Sequence, residues 1–224
     1  PCITIPDDHD IGQGNLWGEN GKKADPTAKK GIGDDGGYFY DPEYVKMVER
    51  CQTSHLPDPF DPTPIEQGIN VYYTNLNYGE IDFAIIEDRK FKSGPRGKIP
   101  KQGPRPDHIL NPNYNPEDID LDGLELLGER QLYFLKNWSK NNIKIKMKAV
   151  LSATRFCGAA HLHGNKKNRL HADLDSNGWP QSGRKKALKL IKKANAVHIG
   201  GDQHLASIVH HGIDNFEDGP YQFI

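Results

Sequence analysis

The 224-residue chain carries 29 Lys and Arg against 30 Asp and Glu, so no global field advertises a nucleic-acid or membrane-surface partner. Hydrophobic residues make up 35%, with 23 Gly and 16 Pro, a composition that implies many turn-rich connections, and the length allows one sizeable α/β core or two small ones, a single domain being the default. No apolar run approaches the roughly 18 residues of a membrane span, and Cys2, Cys51 and Cys157 are too scattered for a disulfide framework or a Cys-x-x-Cys metal site.

In chain order, Ile3-Thr4-Ile5 reads as a strand end that delivers Pro6-Asp7-Asp8-His9-Asp10, four consecutive metal-compatible or proton-carrying side chains after the proline. A glycine-punctuated loop follows over 12–21, with Trp17 as its buried anchor. Residues 42–52 form a helix, with Asp41 as N-cap, Pro42 at the first helical position and Tyr44, Val45, Val48 and Cys51 on one face. Four prolines make 57–64 an extended connector. Two β-rich runs, 69–74 and 81–87, flank 75–80 and predict a hairpin whose buried strand ends in Glu87-Asp88-Arg89. Residues 93–115 are rich in Pro, Gly and Asn and predict a loop. A helix over 128–141, a central strand over 143–153, a basic helix over 184–194 and a strand over 196–199 complete the series. This order favours an α/β layered fold with sites at strand ends.

The last strand runs into Gly200-Gly201-Asp202-Gln203-His204, which repeats the pattern of a β-prone run followed by an Asp and His pair. Carboxylate oxygens and imidazole nitrogens from Asp8, His9, Asp202 and His204 suit Zn, Fe or Mn, and such a site activates water or polarises a phosphoryl oxygen. The plainer alternative makes 7–10 a solvated turn and His204 a satisfied core histidine. His161 and His163, two residues apart after the 143–153 strand, share one face if extended. Arg89, directly after a buried strand, either binds phosphate through its planar fork or closes a structural ion pair. Basic runs at 166–169 and 184–186 either steer an anion or form a solvated face.

Two segments imitate calcium loops. Asp118, Asp120, Asp122 and Gly123 with Glu129 satisfy the EF-hand spacing, but Pro112 and Pro116 forbid the entering helix, so an acidic helix start is the better explanation. Asp173-Leu174-Asp175-Ser176-Asn177-Gly178 begins similarly and lacks the closing Glu, Arg184 standing there instead.

Several stretches in one order resemble the alkaline phosphatase D (PhoD-like) branch of the metallophosphatase superfamily. They are Pro6-Asp7-Asp8-His9-Asp10 with Gln13-Gly14-Asn15-Leu16-Trp17-Gly18, Ile85-Ile86-Glu87-Asp88-Arg89, Leu126-Leu127-Gly128-Glu129-Arg130-Gln131, Asp175-Ser176-Asn177-Gly178-Trp179-Pro180 and Gly200-Gly201-Asp202-Gln203-His204-Leu205. The resemblance implies one catalytic domain over 1–224, built as a metallophosphatase-like α/β/β/α sandwich incomplete at both ends, because the superfamily's first ligand motifs would precede Ile3. It implies two metal ions (Fe, Zn, Mn or Ca) and hydrolysis of small-molecule phosphate mono- or diesters by a metal-bound hydroxide. Asp8, Asp202, His204 and His161 would be metal ligands, His9 the acid that protonates the leaving oxygen, and Arg89 a substrate-binding residue. A periplasmic or secreted location follows from the resemblance alone. A catalytically inactive metal-binding or interaction module of the same fold is the alternative reading.

Overall fold

A computed structural model describes residues 2–27, 35–141, 145–165 and 167–224. Pro1, Ile143 and Lys166, which the sequence places at the chain start, a strand start and a basic run, lie outside the described residues.

The frame is a six-stranded sheet of β1 (Thr74–Tyr78), β2 (Ile81–Ile85), β4 (Met147–Thr154), β8 (Ala196–Gly201), β10 (Tyr221–Phe223) and β9 (Ile208–His210), in that spatial order. The four inner strands β2, β4, β8 and β10 run parallel, and β1 and β9 close the two edges antiparallel. Parallel neighbours need crossovers, and the chain supplies them as helices: α2 (Gly128–Trp138) lies between β2 and β4, and α3 (Gln181–Lys193) between β4 and β8. This is the α/β class expected from the alternation of periods. Because the strands are parallel, the C-terminal ends of β2, β4 and β8 reach the same edge of the sheet, where open α/β folds place their ligands.

The two faces of the sheet differ sharply. Ala84, Val150, His198 and Gln222 lie in register across four strands on one face, all at 0% exposure. That face meets a core built from Phe134, Leu135 and Trp138 of α2, Ala187, Leu188 and Ile191 of α3, and Val45 of α1 (Pro42–Thr53). The opposite face carries the row Thr74, Ile85, Leu151, Ile199, Phe223 and Ile208, also in register across all six strands. Toward the β9 edge this row is open, with Ile199 39%, Phe223 41% and Ile208 71% exposed. The sandwich implied by the family resemblance has a second sheet on such a face; the described residues cover its β1 end, where Thr74 and Ile85 are buried, and leave the β9 end open.

Several expected elements shift. Helix α1 has the expected cap, Asp41 Oδ1 accepting from Glu43 N at 2.8 Å, but its buried positions are Val45, Glu49 and Thr53, while Tyr44 and Cys51 are exposed. Glu49 turns inward because Lys90, itself buried, pairs with it. The predicted hairpin exists with its first strand displaced to Thr74–Tyr78, so Asn75, Leu76 and Asn77 are strand rather than turn. Gly79 and Glu80 alone make the reversal, with φ of 57° and 68°; two positive φ values match the twist of flanking strands, as a longer loop does not. Ile69, Val71, Tyr72 and Tyr73 stay buried outside any strand, the Tyr73 ring centre 5.5 Å from that of Phe134. Residues 3–5 form no strand; the Asp7 to Asp10 segment is held by a 3-10 turn over His9–Ile11.

A second apolar cluster lies under the long loops. Trp17, fully buried as expected, meets Trp179 edge-on at 6.0 Å, with Ile99, Ile109, Ile119, Ala172 and Leu174 around them. It fixes the short antiparallel pair β3 (His108–Ile109) with β7 (Ala172–Asp173), and a second such pair, β5 (His161–His163) with β6 (Asn168–Leu170), adjoins it in sequence. In the Asp118 to Glu129 segment the acidic helix start is confined to Glu129, in the first turn of α2, and the aspartates lie ahead of the helix. A short 3-10 turn covers Pro116–Ile119, Asp120 accepts from Ser182 N at 2.9 Å, and α2 begins only at Gly128.

Candidate metal centre

Residues 87–89 leave the end of β2 and divide into three tasks. Glu87 is held by α2, its N–H donating to Gln131 Oε1 at 2.8 Å. Asp88 caps the end of β4, accepting from Ala153 N at 3.0 Å and from the Thr154 backbone and hydroxyl. Arg89 points under the site. Its guanidinium is at 0% exposure and is surrounded by acid: Asp7 Oδ1 lies 2.7 Å from Nε, Asp175 Oδ1 2.5 Å from Nη1, and Asp202 Oδ2 and Asp8 Oδ1 3.5 and 3.7 Å from Nη2.

The surrounding carboxylates come from three places. The 3-10 turn supplies Asp7 and Asp8, tightened by Asp10, whose Oδ2 accepts from Asp7 N at 2.7 Å. The loop after β7 supplies Asp175. The end of β8 supplies Asp202, at φ 74°, a left-handed conformation that Asp tolerates better than most residues. Gly200 permits this approach, since a Cβ there would stand 2.6 Å from the Thr154 carbonyl oxygen. Lys92, buried beside the cluster, donates to the Asp175 carbonyl and lies 4.9 Å from the Trp17 ring centre.

Charge in this pocket is unbalanced, and the acids respond unequally. Burial pushes Asp8 up to about 7, and the like charges of Asp7, Asp175 and Asp202 add to it against the pull of Arg89. Burial likewise raises Asp202 to about 6, again opposed by Arg89. Burial acts on Asp7 in the same sense, but Arg89 outweighs it and holds that carboxyl below its ordinary value. For Arg89 itself, burial opposes the charge and Asp175, Asp7, Asp8 and Asp202 overcome it, so the guanidinium stays protonated.

Above the carboxylates opens a cavity of about 620 Å³. Asp8, His9, His161, Asp202 and His204, all picked out from the sequence, line it. At its floor, Asp7, Asp8 and Asp202 each bring an oxygen within 4.8 Å of the others, Asp8 and Asp202 lining the cavity; His161 and His204 stand in the wall and outside that triad. His161 Nδ1 contacts the Ala159 carbonyl at 3.0 Å and Gln203 Nε2 at 3.3 Å, which ties β5 to the Asp202 loop. Arg89 takes the ion-pair alternative: wholly buried and bonded through Nε and Nη1 to Asp7 and Asp175, it forms the floor under the carboxylates and presents no fork to the cavity. Arg184 is not an anion-steering group either, since it is buried with Nε donating to the Phe156 carbonyl at 2.5 Å and Nη1 to the Gly212 carbonyl at 3.2 Å.

The donor set fits a cation. Two of the triad carboxylates face the cavity, and the Arg89 Nη2 between Asp8 and Asp202 has no hydrogen-bond partner, so one guanidinium does not satisfy the acid around it. An all-oxygen triad suits a hard ion such as Mn, Mg or Ca better than a thiophilic one. Two residues that the sequence did not single out share the cavity, Asp107 just before β3 and His108 at its start, and Asn15 joins them, its Nδ2 donating to Asp107 Oδ2 at 2.9 Å. The signal for the first pair was its repetition of the Asp8-His9 dipeptide inside a stretch that otherwise reads only as loop.

No family profile and no curated protein matches the chain. Among solved structures it is similar to that of PhoD, with a TM-score of 0.58 and 17% sequence identity, over 100% of this chain and 39% of that chain. At this identity the likeness is one of fold: an α/β arrangement like PhoD's, spanning about two-fifths of the length of the protein it matches.

Proposed function

We propose that residues 1–224 form a metal-dependent phosphoesterase domain that hydrolyses small-molecule phosphate mono- or diesters. The observation that carries this reading is the carboxylate triad Asp7, Asp8 and Asp202 at the C-terminal edge of a parallel sheet, of which Asp8 and Asp202 face a cavity bordered by His9 and His204. The PhoD-like fold agrees with it. Asp8 and Asp202 would hold divalent ions, with Asp7 shared between an ion and Arg89. A bound divalent ion supplies Lewis acidity toward a phosphoryl oxygen and lowers the pKa of water at the site.

The chain's own groups then have separable roles. Arg89 keeps Asp8 and Asp202 in place and holds back their mutual repulsion before an ion arrives. His9, exposed at the cavity, donates a proton to the leaving alkoxide as water oxygen attacks phosphorus and the ester P–O bond breaks. His161 and His204 complete the polar wall as ligands or as contacts to the phosphate. The cavity is open and lined with polar groups, as suits a charged ester.

One observation favours a second reading. Arg89 already fills the acidic cradle as an internal cation, so the same site could be a structural ion-pair cluster in a catalytically inactive module. Hydrolysis of p-nitrophenyl phosphate and its bis-ester, with Mn²⁺, Ca²⁺ or Zn²⁺ added to chelator-treated protein, separates the two. The enzyme reading requires metal-stimulated turnover that falls by about two orders of magnitude in Asp202→Asn and His9→Ala. Equal turnover in wild type and both variants would refute it.

A further inference from the structure

The geometry points to a second cation site in the same cavity, for a divalent transition ion of the zinc class, formed by His108, Asp173 and Asp107 with His163 at its rim. It uses none of the residues of the Asp7, Asp8 and Asp202 triad and does not depend on the phosphoesterase reading.

Strand pairing builds it. β3 and β7 are antiparallel, and His108 and Asp173 are direct partners in the ladder, so their side chains leave the same face as neighbours. Asp107 precedes His108 in the chain, and one ligand atom from each of Asp107, His108 and Asp173 lies within 4.8 Å of the others. Tetrahedral zinc holds N and O ligands at about 2.0 to 2.1 Å, hence roughly 3.4 Å apart, a separation that His108 Nε2 and Asp107 Oδ2 already approach at 3.5 Å. The second hairpin brings His161 and His163 to one side of β5, and the His163 ring meets the His108 ring edge-on at 4.7 Å, within reach of the fourth position.

A separate observation marks the site as made for a ligand. His108 is 4% exposed and lines the cavity, yet its ring makes no hydrogen bond among the described residues; its nearest carboxylate oxygen, on Asp107, is 3.5 Å away. With no group among the described residues hydrogen-bonded to it, the imidazole is left to whatever occupies the cavity it lines. Asp107 in turn is oriented by Asn15 Nδ2 at 2.9 Å and Arg105 Nε at 3.2 Å, the kind of outer support that fixes metal ligands. Mixed imidazole and carboxylate donors select zinc-class ions over calcium, which distinguishes this set from the all-oxygen triad. Ion binding here would staple β3 and β7 to the β5 and β6 hairpin and stiffen that wall of the cavity.

The test is Zn²⁺ binding to the full chain after chelator treatment, read by calorimetry, by bound-metal content and by the thermal midpoint, with Co²⁺ as an absorbing substitute. Asp8→Asn should keep one tight Zn²⁺ and its rise in midpoint. His108→Ala should weaken that ion at least tenfold, and His163→Ala, at an exposed position, severalfold with the metal-free fold intact by circular dichroism. If His108→Ala does not fold, Asp173→Asn and His163→Ala carry the comparison. Wild-type Zn²⁺ affinity in His163→Ala and in the folded variants of His108 or Asp173, or loss of all Zn²⁺ in Asp8→Asn alone, would overturn the assignment.

Discussion

Arg89 Nη1 stands 2.5 Å from Asp175 Oδ1, a bond between the end of β2 and the loop after β7, 86 residues apart in the chain. It joins the sheet frame to the loop layer around Trp17 and Trp179. Substituting Arg89 by Met would strand Asp7, Asp8, Asp175 and Asp202 together without their central cation. Removal of one partner from a buried charge cluster costs about 3 to 5 kcal/mol. Urea denaturation at pH 8 should show a loss of that order in Arg89→Met, and added Mn²⁺ should recover part of it. A variant as stable as wild type at pH 8 would show that the cluster contributes nothing.

Asp175 and Asp202 both face Arg89 but should separate by function. Asp202 leaves Arg89 at 3.5 Å and turns an oxygen to the cavity, whereas Asp175 binds the guanidinium directly. Asp202→Asn is expected to weaken Mn²⁺ binding tenfold or more with a stability change below about 1 kcal/mol. Asp175→Asn should lower stability by about 2 kcal/mol, in the range for a hydrogen bond to a charged group. Paired calorimetric titrations and denaturation curves would reveal any reversal of that order.

The core face of the sheet contains a pH-sensitive pair. Arg184 donates to His211 Nδ1 at 3.1 Å, so Nε2 carries the imidazole proton and donates to Gln222 Oε1 at 2.8 Å. Burial and Arg184 push His211 down to about 4 from an ordinary 6.5, and burial with neighbouring His211 pushes His198 to about 3. Between these values and 6.5 the unfolded chain binds more protons, so stability from these groups is complete above about 6.5 and is lost as pH falls. Glu87, raised to about 7 by burial, acts in the opposite sense between its ordinary 4.5 and 7, which is why a variant comparison is needed. His211→Gln should be about 1 to 2 kcal/mol less stable than wild type at pH 7.5 and no less stable at pH 4.5. A gap independent of pH would contradict this.

Gly200 tests the strand approach that presents Asp202. Its missing Cβ would lie 2.6 Å from the Thr154 carbonyl oxygen and 3.1 Å from Arg155 Cα, both backbone atoms that cannot swing aside. Gly200→Ala should therefore push β8 from β4, with a loss of about 1 to 3 kcal/mol and weaker metal binding. Gly123→Ala, at φ +83° with open space around it, is the control and should cost about 1 kcal/mol without touching metal affinity.

The open β9 end of the sheet face should govern solubility. Exposed, uncharged rows of this size favour association. Ile208→Lys with Phe223→Lys adds charge at the edge, where lysine also blocks strand pairing. Light scattering across a concentration series should show less self-association in the double variant than in wild type; no difference would mean the face is inert.

What the sequence determines by itself is local. Asp41-Pro42 starts α1 because a cap and a fixed φ act within one turn, and the 3.6-residue spacing of Leu132, Leu135 and Trp138 places α2. The run ending in Gly200-Gly201-Asp202 reads as a strand that delivers a carboxylate, since β-branched residues and a following glycine pair carry that information in the chain. Even so, period and composition misplace the first strand of the hairpin, because a two-residue turn at Gly79 and Glu80 overrides the preference of Asn75 and Asn77 for loops. Only the tertiary structure decides the rest. That Arg89 is a floor and not a phosphate fork depends on Asp7, Asp175 and Asp202 arriving from distant segments. That His108 faces Asp173 depends on a two-residue strand pair with no periodicity of its own to read. Charge neutralisation and ligand convergence are properties of distances in space, and sequence spacing fixes those distances only within a single helix, strand or turn.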